Sequence, residues 1–137
     1  MPRRSIFVID DDLGMLRTID RLLGVYGFDV QTFGSAEEFL KGSNSRDVGL
    51  LVLDINLSGM SGIELRQKLA LSGISIPVIF ITGNDSDAIR NAALEVGCTA
   101  YLSKPFPAKQ LVDAIEKAFN VPQDLILRQK GETHKAV

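Results

Sequence analysis

The chain has 137 residues, of which 45% are hydrophobic and 23% charged, and a formal net charge of −2. That length supports one domain with a full core, and the mild acidity argues against a chain that itself binds nucleic acid, which needs clustered Lys and Arg. No apolar run approaches the roughly 20 residues of a membrane span, one cysteine (Cys98) excludes an internal disulfide, and one histidine (His134) leaves any metal site to carboxylates.

Met1-Pro2-Arg3-Arg4 runs straight into a strand-like segment with no signal-peptide pattern, so a cytoplasmic location is expected. The first strand is Ile6-Phe7-Val8-Ile9, ending at Asp10. Leu16, Ile19, Leu23 and Tyr26 then recur at helical spacing, and Gly27 can stop that helix. Residues 30–33 read as a second strand, and Ser35 and Glu38 have the spacing of a capping box for a short helix with Phe39 and Leu40. Leu50-Leu51-Val52-Leu53 is a third strand, ending at Asp54. A loop over 59–62 precedes a helix over 63–71. Val78-Ile79-Phe80-Ile81 is a fourth strand, ending at Thr82. Ile89, Ala92, Ala93 and Val96 mark an amphipathic helix that Gly97 can end. Residues 99–102 form a short fifth strand before Ser103-Lys104-Pro105, and Leu111, Ile115, Ala118 and Phe119 make the last buried stripe.

Five β-α units in alternation predict an α/β fold with a parallel sheet and helices on both faces. Strands one, three and four are apolar throughout, as strands buried on both faces must be. The pattern fails from Asn120. The expected division is a domain over 1–119 and a C-terminal tail or truncated linker over 120–137, where Leu125, Ile126 and Leu127 could extend a helix and His134 is solvated.

Ligands bind such a sheet beyond the carboxyl ends of its strands. Asp10, Asp11 and Asp12 follow strand one, Asp54 follows strand three, Thr82 ends strand four, and Lys104 follows strand five. Asp12 alone is best read as a helix cap. A cap does not explain three consecutive acids, whose mutual repulsion a hard divalent cation relieves. Oxygen-only ligands select Mg²⁺ or a close relative such as Mn²⁺. Carboxylates, a hydroxyl and an ammonium together suit phosphoryl transfer to an aspartate, with Asp54 the natural acceptor.

The segments Ile9-Asp10-Asp11-Asp12, Leu53-Asp54-Ile55-Asn56-Leu57, Ser61-Gly62, Ile81-Thr82-Gly83 and Tyr101-Leu102-Ser103-Lys104-Pro105-Phe106 resemble the receiver domain of two-component response regulators, over residues 5–119. The resemblance implies a flavodoxin-like, doubly wound, five-stranded parallel sheet of order 2-1-3-4-5 with five helices. It implies that Asp54 is the phosphoacceptor. Asp11 would ligate Mg²⁺ directly, Asp10 mainly through water, and Asn56 through its backbone carbonyl. Thr82 and Lys104 would hold the phosphoryl group, reaching it only after their loops rearrange, and Tyr101 would move inward with Thr82. Asn56 and Asn84 would tune self-catalysed dephosphorylation, and the Lys104-Pro105 bond would be cis. Ser58 stands where such loops more often carry proline, which leaves φ freer there.

The resemblance also implies a signalling switch rather than an enzyme. Its phosphodonor would be a sensor histidine kinase or histidine phosphotransfer protein, since no suitably placed histidine exists in this chain. Its output face would be the fourth helix, fifth strand and fifth helix, with phosphorylation-dependent pairing of two copies. The style of Ile81-Thr82-Gly83 and Ser35-Ala36-Glu37-Glu38-Phe39-Leu40 is similar to receivers joined to helix-turn-helix transcription domains. Two rivals stand beside it. An aspartyl-phosphate phosphatase of the haloacid-dehalogenase type would need an acid where Asn56 stands. A flavin- or nucleotide-binding module would need a phosphate loop where Asp10-Asp11-Asp12 stands.

Overall fold

The computed structural model of the protein describes residues 5–43 and 48–120. The expected tail, with Leu125, Ile126, Leu127 and His134, lies outside the described residues, as does the Met1-Pro2-Arg3-Arg4 segment. In chain order the elements are β1 (Ser5–Ile9), α1 (Leu13–Val25), β2 (Asp29–Phe33), α2 (Ala36–Gly42), β3 (Leu50–Asp54), α3 (Gly62–Leu71), β4 (Val78–Thr82), α4 (Asp87–Val96), β5 (Ala100–Ser103) and α5 (Ala108–Asn120). The strands form one parallel sheet in the order β2-β1-β3-β4-β5. This is the flavodoxin-like arrangement, and the strand order reverses between β1 and β3.

Successive strand residues point to opposite faces of a sheet, so each apolar strand feeds two cores. Ile6, Val8, Leu50, Val52, Ile79 and Ile81 pack with α1 and α5. Phe7, Ile9, Leu51, Leu53, Val78 and Phe80 pack with α2, α3 and α4. Strands β1, β3 and β4 are therefore buried along their whole length, and the edge strand β2 is mostly exposed.

Two local readings need correction. Tyr26 does not continue the buried stripe of α1: it is the C-cap residue, half exposed, and Phe28 takes the buried position and stacks on Phe119. Ser35 caps α2 by accepting from the Glu38 N–H, but the Glu38 carboxylate accepts from Gly34 N–H, so the box is only half formed. A full capping box closes instead at Ser61 and Glu64 on α3. On α4 the expected amphipathic stripe holds: Ala93 is fully buried, and Ile89 and Val96 pack partly buried against the core. The stops at Gly27 and Gly97 both have positive φ, 85° and 91°.

Candidate functional site

Strand register assembles the polar edge. Ile9 pairs with Leu53 across β1 and β3, so the next residues, Asp10 and Asp54, emerge side by side beyond the sheet. Both are buried, at 0% and 3% exposure. Thr82 pairs with Ser103 across β4 and β5, which places Lys104 one step beyond. The Lys104 N–H donates to the Thr82 carbonyl at 2.7 Å, and the Lys104-Pro105 bond is cis. The ammonium then spans both acids: Lys104 Nζ donates to Asp10 Oδ2 at 2.8 Å and to Asp54 Oδ2 at 3.2 Å. In this state Lys104 is on Asp54 already, so no loop movement is needed for it to meet charge there.

Asp11 is exposed, and one carboxylate oxygen from each of Asp10, Asp11 and Asp54 lies within 4.8 Å of the other two. Three carboxylates against one ammonium leave an excess of negative charge, which suits a hard divalent cation. Asp12 is turned away as the N-cap of α1, accepting from the N–H groups of Gly14 and Met15. Burial, reinforced by the charge of Asp10, pushes the Asp54 carboxyl up to about 6, although Lys104 and the Asn56 N–H pull it down. Burial works against the Lys104 charge, but the hydrogen bond and charge of Asp10, then Asp54, outweigh it and raise its pKa.

Thr82 is fully buried, and its Oγ1 accepts from Asn56 Nδ2 at 3.1 Å and from the Asn84 N–H at 3.0 Å. The hydroxyl proton is left available for donation. Asn56 also donates its backbone N–H to Asp54 Oδ1 at 3.1 Å. Tyr101 lies farther out. Its hydroxyl donates to Asp85 Oδ1 at 2.9 Å, and the Arg90 guanidinium stands 5.1 Å above its ring. Asp85 Oδ2 accepts from Arg90 Nη2 at 2.8 Å and from Ser103 Oγ at 2.7 Å. Burial, then the Asp85 carboxylate, pushes the Tyr101 phenol up to about 12. The bonds from Ser103 and Tyr101 hold Asp85 below the usual carboxylate range.

Sequence reasoning missed Asp85 and Glu37. A signal for Asp85 was present: Tyr101 and Ser103 share one face of β5, and an acid in the loop after β4 can reach both. Glu37 accepts the Met60 N–H at 2.9 Å, a contact between α2 and the loop after β3 that no local spacing announces.

The chain belongs to the response regulator receiver domain family, whose profile matches residues 6–116. Its relatives are response regulators of two-component systems. The chain is 39% identical to nodulation protein W of Bradyrhizobium diazoefficiens, covering 82% of this chain and 50% of that one. It is 33% identical to the transcriptional regulatory protein FixJ of the same organism, covering 82% and 55%, and 33% identical to response regulator protein TodT of Pseudomonas putida, covering 85% and 51%. The chain thus spans about half the length of these curated relatives. Among solved structures, FixJ-N matches with a TM-score of 0.78 at 33% identity, covering 87% of this chain and 95% of that one. Response regulator StyR matches with a TM-score of 0.78 at 35% identity, covering 96% and 65%. Among the described residues, no helix is long and apolar enough to cross a membrane.

Proposed function

We propose that the chain is a phosphorylation switch in which Asp54 takes a phosphoryl group from the phosphohistidine of a sensor kinase or phosphotransfer protein. The observation that carries this reading is the Lys104 ammonium held between two buried carboxylates, Asp10 and Asp54. With its pKa near 6, Asp54 is mostly ionised at neutral pH and can act as a nucleophile. Its carboxylate oxygen forms the new P–O bond as the donor's P–N bond breaks, and the leaving imidazole takes up a proton. Lys104 stands at the oxygen where the acyl phosphate begins and neutralises part of its charge. The carboxylates of Asp10, Asp11 and Asp54, with the Asn56 carbonyl, would hold Mg²⁺ or Mn²⁺. Such a cation supplies further charge neutralisation at the phosphoryl oxygens.

The new group adds a charge of about −1.5 to −2 at neutral pH. Thr82 answers by donating its free hydroxyl proton to a phosphoryl oxygen, which draws toward the site the Asn84 loop whose N–H is bonded to the same Oγ1. The Asn84 loop continues into Asp85, which holds Tyr101, Ser103 and Arg90. A local charge thus reaches the α4–β5–α5 face through a loop with two arrangements. Pairing of two copies on that face, and control of transcription by an attached or separate output, follow from the likeness to the relatives. Asn56 and Asn84 border the path by which water would hydrolyse the acyl phosphate and set its lifetime.

The test is incubation with Mg²⁺ and a small acyl phosphate donor, followed by intact-protein mass spectrometry. The expected product gains one phosphoryl group, and Asp54→Asn gains none. Equal modification of Asp54→Asn, or none of the unsubstituted chain, would refute the proposal.

A further inference from the structure

The loop over 55–61 carries Asn56, and its Ser58 hydroxyl donates to Asp11 Oδ2 at 3.4 Å, so its position sets the candidate cation ligands. Its base is closed by the N–H groups of Leu57 and Gly62 donating to the Ile55 carbonyl. It doubles back so tightly that a Cβ at Gly62 would collide with the Asp54 carbonyl oxygen. The turn between these points has little to stiffen it: Ser58 leaves φ free, and Gly59 sits at φ +78°. One side chain from another helix grips this turn. Glu37, in the first turn of α2, accepts the Met60 N–H at 2.9 Å. Its carboxylate lies so close to the turn that a Cβ at Gly59 would stand 2.8 Å from Glu37 Oε2.

We infer that Glu37 is a positioning residue for the cation site, an external brace that holds the loop where Ser58 gives it no internal stiffness. The inference rests on the metal site proposed above. The brace is a charge-assisted bond, stronger than a neutral one, and the Met60 N–H keeps the Glu37 carboxyl below its ordinary range, so it is charged at neutral pH. Its own base is fixed, because Ser35 caps the same turn. Outer groups of this kind act on a metal by orienting its ligands, and their loss costs roughly 10- to 100-fold in affinity.

A proline at position 58 should do the work of the brace. The Ser58 N–H donates to no backbone carbonyl among the described residues, so Ser58→Pro removes no backbone bond; it does remove the hydroxyl bond to Asp11, so the effect of Glu37→Ala is read within each background. The experiment is Mn²⁺ titration followed by electron paramagnetic resonance, with thermal unfolding of the metal-free proteins alongside. Glu37→Ala should weaken Mn²⁺ binding about tenfold, and Glu37→Gln, which keeps an acceptor oxygen, should weaken it less. In a Ser58→Pro background, Glu37→Ala should cost less than about twofold, because the proline fixes φ. A merely structural role would lower the unfolding temperature equally in both backgrounds and leave affinity alone. Unchanged Mn²⁺ affinity in Glu37→Ala, or an equal loss in the Ser58→Pro background, would overturn the brace while leaving the metal site standing. No Mn²⁺ binding by the unsubstituted chain would overturn the metal site, and the brace with it.

Discussion

Asp54 stands under two opposed demands. Burial beside Asp10 raises its pKa to about 6, while its use as a nucleophile needs the anion. Its folded pKa lies above the unfolded value of about 4. The native state therefore binds its proton more tightly, and the stability this contributes is full below about pH 4 and lost as pH rises through about 6. Without divalent cation, Asp54→Asn should therefore be the more stable protein at pH 7, by about 2 kcal/mol. The difference should shrink toward zero as pH falls to about 4. Urea unfolding at several pH values checks this, and a constant difference across the range would contradict it. The sign is opposite at Asp85, whose pKa is lowered: what it contributes is present at neutral pH and lost as pH falls through its depressed value. Tyr101 reports on that contact. In a Tyr26→Phe background, its phenol should titrate near 12, and Asp85→Asn should bring the midpoint down while leaving it above 10, because burial is the larger cause. A midpoint unmoved by Asp85→Asn would show that the bond is absent in solution.

At the scale of elements, the alternation of strands and amphipathic helices was legible because β1, β3 and β4 each feed two cores and so carry an unbroken apolar run. The site residues were legible for a related reason. Parallel strands in register end together, so Asp10, Asp54, Thr82 and Lys104 had to converge wherever the sheet formed. Tyr26 was misread because it sits at helical spacing one step past the helix, where Phe28 competes for the same core position. Glu37 was invisible because its partner, Met60, lies on another element at a distance along the chain that no periodicity encodes, whereas Asp85 was missed although the shared face of Tyr101 and Ser103 pointed to an acid in the loop after β4. Gly62 tests the closest approach between elements. A methyl group there meets the Asp54 carbonyl oxygen at the start of α3. Gly62→Ala should destabilise the fold by roughly 1–3 kcal/mol, the range of overpacking. Thermal or urea unfolding measures it, and a neutral effect would mean that the loop is looser than described.

At the scale of the whole molecule, a sheet with two covered faces leaves only its carboxyl edge for chemistry, and that edge holds the acids and the lysine. The loops after β3 and β4 border it. The Asp85 contacts tie the second of these loops to β5. The central claim is that this edge receives a phosphoryl group on one named carboxylate. The most direct measurement is to trap the acyl phosphate with borohydride, which reduces a phosphorylated aspartate to homoserine, and to sequence the peptides by mass spectrometry. Homoserine at position 54, dependent on phosphodonor and divalent cation, is the expected result. Homoserine at another aspartate, or at none under conditions that phosphorylate a related receiver, would contradict it.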